Sequence, residues 1–168
     1  MQLYLMRHGI AADRAAGGRG ADDRERPLTA KGIKRIEKAA RGLVSLSLAF
    51  DKILTSPLER ARHTAKIVAE TLHCEDRLEE FQQLSPEHSV QDLITGLAHH
   101  GGLKDILLVG HEPLLSRCAS FLLSGKAGAE IRFKKGGLCC LEVDGMPPGE
   151  SAVLLYALTP KQLRRLAR

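Results

Sequence analysis

Tryptophan is absent from this chain, and aromatic residues make up only 4% of it. Proteins that read unpaired nucleic acid stack bases on such rings, so a nucleic-acid partner is not expected despite a formal net charge of +5. Guanidiniums that hold phosphate raise the net charge in the same way. No apolar run approaches the roughly 20 residues that cross a bilayer. The first residues lack the basic leader and cleavage site of a secretion signal. A cytoplasmic protein that meets no membrane is therefore expected. The four cysteines, Cys74, Cys118, Cys139 and Cys140, form no C-x-x-C pair, and no His/Cys group has zinc-site spacing. Reduced, buried thiols and no structural metal follow. Heptads and exposed apolar stripes are also missing, which leaves a monomer as the expectation.

The chain is an alternation of apolar runs and amphipathic stretches. Residues 2–7 predict a strand, and the Ala/Gly/Asp/Arg-rich stretch 11–27 predicts a long loop. Thr29 caps a helix reaching about Leu46, with Ile33, Ile36, Ala40 and Leu43 at helical spacing. Asp51–Thr55 reads as a second strand. Ser56-Pro57 opens a helix through about Leu72, because proline suits a first helical turn. A polar connection over Glu75–Ser89 leads to a helix from Val90 to His99. Ile106–Val109 is a continuous apolar run, as a strand buried on both faces requires, and a helix through about Leu123 follows it. Strands near Gly137–Val143 and Ala152–Leu158 precede a basic terminal helix. With no repeat or linker, the pattern predicts one domain over residues 1–168, an α/β fold with a mainly parallel central sheet.

Three of the predicted strands end in groups suited to phosphate. The first runs into Arg7-His8-Gly9, the second into Ser56 with Arg60 nearby, and the third into His111. In a parallel sheet, strand ends distant in sequence converge on one edge. Arg60 falls in the first turn of its helix, beside free N–H groups and the positive end of the dipole. The set comprises a nucleophile candidate, two guanidiniums and a second imidazole. Neighbouring arginines disfavour protonation of His8 and leave a nitrogen lone pair for attack.

Leu5-Met6-Arg7-His8-Gly9, Thr55-Ser56-Pro57-Leu58-Glu59-Arg60-Ala61 and Val109-Gly110-His111-Glu112-Pro113 resemble the three signature segments of the histidine phosphatase superfamily. That superfamily also contains the cofactor-dependent phosphoglycerate mutases. The short length, Arg26-Pro27-Leu28-Thr29-x-x-Gly32 and Leu84-Ser85-Pro86 resemble its SixA-type branch of phosphohistidine phosphatases. The resemblance implies a three-layer α/β/α sandwich of phosphoglycerate mutase type. It implies that His8 is transiently phosphorylated and that Arg7, Arg60 and His111 hold the phosphoryl oxygens, with Ser56 and Arg26 as further substrate-binding candidates and no cofactor or metal. Many members use a glutamate as general acid; Glu79, Glu80 and Glu87 are the candidates here, and no spacing selects one.

Two substrate classes follow. An alkoxide leaving group needs a placed proton donor, whereas the imidazole of phosphohistidine is less demanding. A site without an obvious acid, in a chain too short for a large enclosing insertion, points to phosphohistidine presented by a signalling or phosphotransfer protein. The alternative is a small phosphorylated metabolite such as a sugar phosphate; a phosphate-binding module without turnover is a third reading. The loop 11–27 is the one segment long enough to act as a lid.

Overall fold

The apolar run at the start of the chain becomes strand β1 (Gln2–Arg7), with Leu3, Tyr4, Leu5 and Met6 all buried. Burial of every residue, rather than of alternate ones, marks a strand covered on both sides. The computed structural model describes residues 1–13, 22–125, 131–145, 148 and 151–167. Along the described chain follow α1 (Ala30–Ser45), β2 (Lys52–Thr55), α2 (Glu59–Leu72), β3 (Leu78–Glu80), α3 (Val90–Leu97), β4 (Asp105–Gly110), α4 (Leu114–Ser124), β5 (Leu138–Glu142), β6 (Val153–Leu158) and α5 (Pro160–Leu166). The sheet order is β3-β2-β4-β1-β5-β6. The strands from β3 to β1 are mutually parallel, whereas β5 pairs antiparallel with both β1 and β6.

Alternate residues of the central strands feed two cores. Tyr4, Met6, Leu107 and Val109 pack with Ile36 and Leu43 of α1, Ala65 and Val68 of α2 and Leu163 of α5. Leu3, Leu5, Ile106 and Leu108 pack on the opposite side with Leu93 and Leu97 of α3 and Leu115 and Cys118 of α4. The result is the expected three-layer α/β/α sandwich. No helix among the described residues is long and apolar enough to cross a membrane.

Several local expectations hold and others give way. Thr29 caps α1, its hydroxyl accepting from Gly32 N–H at 2.9 Å. The helix predicted from Ser56-Pro57 instead begins at Glu59, with Leu58 at the N-cap; the Ser56 N–H is drawn into the sheet edge by the Val109 carbonyl at 3.0 Å. The connection over Glu75–Ser89 contains the short edge strand β3, which its two charges hide in the sequence. Edge strands carry such charges where a central strand does not: Glu79 pairs with Lys52 and Glu80 with Arg62. Helix α3 ends at Leu97 and tightens into a 3₁₀ turn through His100. Of the loop 11–27, residues 14–21, including Arg19, lie outside the described residues, so the lid expectation falls mostly there. Its far end is structured, with a 3₁₀ turn at Asp23–Glu25 and an antiparallel bridge between Ala11 and Leu28.

Candidate active site

Register brings the site together. Arg7 at the end of β1 lies opposite Gly110 at the end of β4, and Thr55 at the end of β2 lies opposite Val109. The next residues along each strand, His8, His111 and Ser56, therefore leave the sheet at one edge. The His8 and His111 rings come within 4.9 Å, centroid to centroid, at an interplanar angle of 53°. Arg7, His8, Arg60, His111 and Arg26 all line one cleft of about 390 Å³.

His8 is almost fully buried, and its Nδ1 lies 2.7 Å from the Gly9 carbonyl. A carbonyl oxygen only accepts, so Nδ1 carries the proton and Nε2 keeps its lone pair. Burial pushes the His8 pKa down to about 3, with Arg60, Arg7 and Lys135 adding to the effect against the opposing Gly9 hydrogen bond. The imidazole is thus neutral over the physiological range. Gly9 is required beside it: a Cβ there would lie 2.8 Å from Ile36 Cγ1, and the Gly9 N–H donates to Thr64 Oγ1 at 3.0 Å. Thr64 in turn donates to the Arg60 carbonyl at 2.7 Å, which ties the His8 loop to the first turn of α2.

His111 is also held neutral, its pKa lowered to about 3 by burial first and then by His8 and Arg60. Its Nε2 sits 2.8 Å from Ser56 Oγ, which already accepts from the Leu58 N–H at 3.3 Å. The Ser56 hydroxyl proton is then available to Nε2, and the ring proton resides on Nδ1, a buried atom without a partner among the described residues. Ser56 itself is fully buried and does not line the cleft. The structure places it beneath His111 rather than among the residues that line the cleft.

The guanidiniums are fixed before any substrate arrives. Arg7 donates through Nη1 to the Phe133 carbonyl at 2.7 Å, and its Nε is buried without a hydrogen-bond partner among the described residues. Arg60, 4% exposed, donates to the Asp23 carbonyl at 2.7 Å and to its carboxylate at 3.0 Å. The other oxygen of Asp23 pairs with Arg26 at 3.2 Å. Of the three glutamates, only Glu87 lines the cleft, where it pairs with Arg24 at 3.2 Å and remains half-exposed. Glu79 and Glu80 are turned away along β3; Lys52 holds the Glu79 carboxyl below its usual range, which is wrong for a proton donor.

A family model of the histidine phosphatase superfamily (branch 1) matches residues 3–88. The chain belongs to the histidine phosphatase superfamily. An uncharacterized protein of Picosynechococcus sp. is 41% identical, over 82% of this chain and 82% of its own. Phosphohistidine phosphatase SixA of Escherichia coli (strain K12) is 30% identical, over 75% of this chain and 76% of its own. The structure of a protein histidine phosphatase SixA complexed with tungstate matches at a TM-score of 0.83 and 25% identity, covering 97% of this chain and 99% of that one. The chain is a phosphatase of this superfamily.

Three residues of this histidine phosphatase site escape a reading of the sequence. Asp23 bridges Arg60 and Arg26 from within a stretch whose composition reads only as loop. Lys135 lines the cleft from the Lys134-Lys135-Gly136-Gly137 turn, where Gly136 adopts φ +81° and donates its N–H to the Arg7 carbonyl. Glu112 follows His111 directly, and that adjacency is the one usable signal. Its Oε1 accepts from the Phe133 N–H at 2.9 Å and its Oε2 from Ser116, so it braces the backbone that anchors Arg7.

Proposed function

We propose that this chain is a metal-independent phosphatase that hydrolyses phosphohistidine on a protein through a phosphohistidine formed at its own His8. The observation that carries the reading is the His8 imidazole: buried and neutral, its proton locked on Nδ1 by the Gly9 carbonyl, its Nε2 unprotonated among guanidiniums. In the first step Nε2 attacks phosphorus, and the bond between phosphorus and the substrate nitrogen breaks. The departing imidazole keeps the bonding electrons and takes a proton from solvent at the open rim. In the second step water attacks phospho-His8, a proton is released, and phosphate leaves with Nε2 restored. Arg7, Arg60, Arg26 and the His111 Nδ1–H hold the phosphoryl oxygens, whose charge they stabilise.

Substrate choice rests on the leaving group. Glu87, the one glutamate candidate lining the cleft, is ion-paired with Arg24 at the rim. A carboxylate so paired is a poor donor to an alkoxide, and an imidazole needs the donor least. Similarity to SixA of Escherichia coli supports the same choice.

The test compares phosphate release from a histidine-phosphorylated protein domain and from a panel of sugar phosphates, without added metal, for wild type and His8→Ala. Preference for the phosphorylated domain, lost in His8→Ala together with an acid-labile, base-stable phosphoenzyme, is the expected result. Preference for one sugar phosphate would replace the reading with a metabolite phosphatase. Saturable phosphate binding with no turnover of any substrate would replace it with a binding module.

A further inference from the structure

A second groove of about 480 Å³ adjoins the reaction cleft and shares Arg7 and Glu112 with it. Pro113 and Ile131 give it an apolar lining, and the exposed side chains of Arg117 on α4 and Lys134 flank it. Lys135 extends the same basic rim to the mouth of the cleft. Among the described residues no carboxylate pairs with Arg117, Lys134 or Lys135, whereas Arg24 and Arg26, which also line the cleft, are each paired. The neighbouring carboxylate, Glu112, is committed through both oxygens to Phe133 and Ser116. The groove therefore offers uncompensated positive charge beside apolar surface, in a volume well beyond that of a phosphoryl group.

We propose that this groove docks an acidic surface of the phosphorylated protein, seating it so that its phosphohistidine enters the cleft past Arg7. The inference rests on the protein-phosphohistidine reading above and adds the chemistry of the partner. Complementary charge at a rim acts chiefly on encounter and orientation and is screened by salt. It therefore changes kcat/KM for a macromolecular substrate and leaves the bond-breaking step alone. A free phosphohistidine has the same leaving group and no acidic surface, which makes it the matched control.

The experiment measures kcat/KM on free phosphohistidine and on a net-acidic folded domain phosphorylated on histidine, at low and physiological ionic strength, for wild type and Arg117→Glu/Lys134→Glu. On the domain, the double variant is expected to lose about tenfold, within the range of electrostatic steering, and the wild-type value to fall steeply with salt. On free phosphohistidine the ratio of variant to wild type stays within about twofold, the scale of a remote surface charge. Equal losses on both substrates would overturn the inference, because the groove would then belong to the reaction site. No loss on either would overturn it as well, and so would wild-type turnover of free phosphohistidine without turnover of the domain. Failure of the underlying reading is seen separately: wild type would ignore both phosphohistidine substrates and hydrolyse a metabolite phosphate.

Discussion

Replacing Glu112 separates a brace from a bystander. Its carboxylate accepts from the Phe133 N–H at 2.9 Å, and the Phe133 carbonyl accepts from Arg7 Nη1 at 2.7 Å, so the backbone of one residue links the two side chains. Phe133 is buried, and truncation to alanine strands its N–H. An unsatisfied buried donor costs about 1–3 kcal/mol, so Glu112→Ala is expected to lose about 2 kcal/mol of stability. Arg7 loses a fixed acceptor at the same time. A displacement of about 1 Å in a positioning group costs up to ~100-fold in rate, and a loss of about 10- to 100-fold in kcat/KM on a generic phosphomonoester is expected. Glu112→Gln keeps an acceptor oxygen for Phe133 and should recover most of both losses. The assays are urea unfolding, kcat/KM and affinity for vanadate as a phosphate mimic. The reasoning is refuted if Glu112→Ala loses stability yet keeps kcat/KM and vanadate affinity within twofold, since the carboxylate would then staple the fold without placing Arg7.

Two further outcomes are expected. Ser56→Ala removes the partner 2.8 Å from His111 Nε2 without exposing a new surface, because Ser56 is fully buried; losing one hydrogen bond of ~1 kcal/mol should weaken vanadate binding about five- to tenfold, and unchanged binding would remove Ser56 from any role in setting the His111 proton. Stability should also fall with acid. His8 and His111 titrate near 3 in the folded protein and near 6.5 unfolded, so below pH 6.5 the unfolded chain binds protons that the folded one refuses. The urea midpoint is expected to drop steadily between about pH 6.5 and 3, and His111→Asn should flatten that slope; an equal slope in the variant would contradict the assignment.

The sequence carried the framework of this molecule because its central strands are buried on both faces. Leu3 to Met6 and Ile106 to Val109 admit no polar residue, so each reads as an unbroken apolar run. The cleft was legible for the same reason: Arg7, His8 and His111 directly follow those runs, and parallel register carries them to a common edge. Elements held by charge rather than burial were harder to see. Strand β3 offers Leu-Glu-Glu, a pattern equally good in a loop, and its place is fixed by pairing to β2 and by ion pairs to Lys52 and Arg62. The start of α2 was misplaced because proline is welcome in a first turn, while here Ser56 is captured by the Val109 carbonyl two residues earlier. Asp23 meets Arg60 across 37 residues of chain and Ser56 meets His111 across 55, and the local pattern around Asp23 holds no trace of its contact.

The strand order has a consequence for the birth of the protein. β4 lies between β1 and β2, so the first hundred residues contain both of its neighbours in the sheet but not the strand that joins them. A ribosome-bound chain of that length carries His8 and Arg60 on elements with no shared ladder. Only when Asp105–Gly110 emerges and threads between them are β1 and β2 joined in one sheet, and the β1–β4 pairing spans about a hundred residues, the kind of non-local contact that slows folding. The late strand also delivers His111. The two imidazoles of the cleft therefore meet only after the strand that joins the two parts of the sheet has been made.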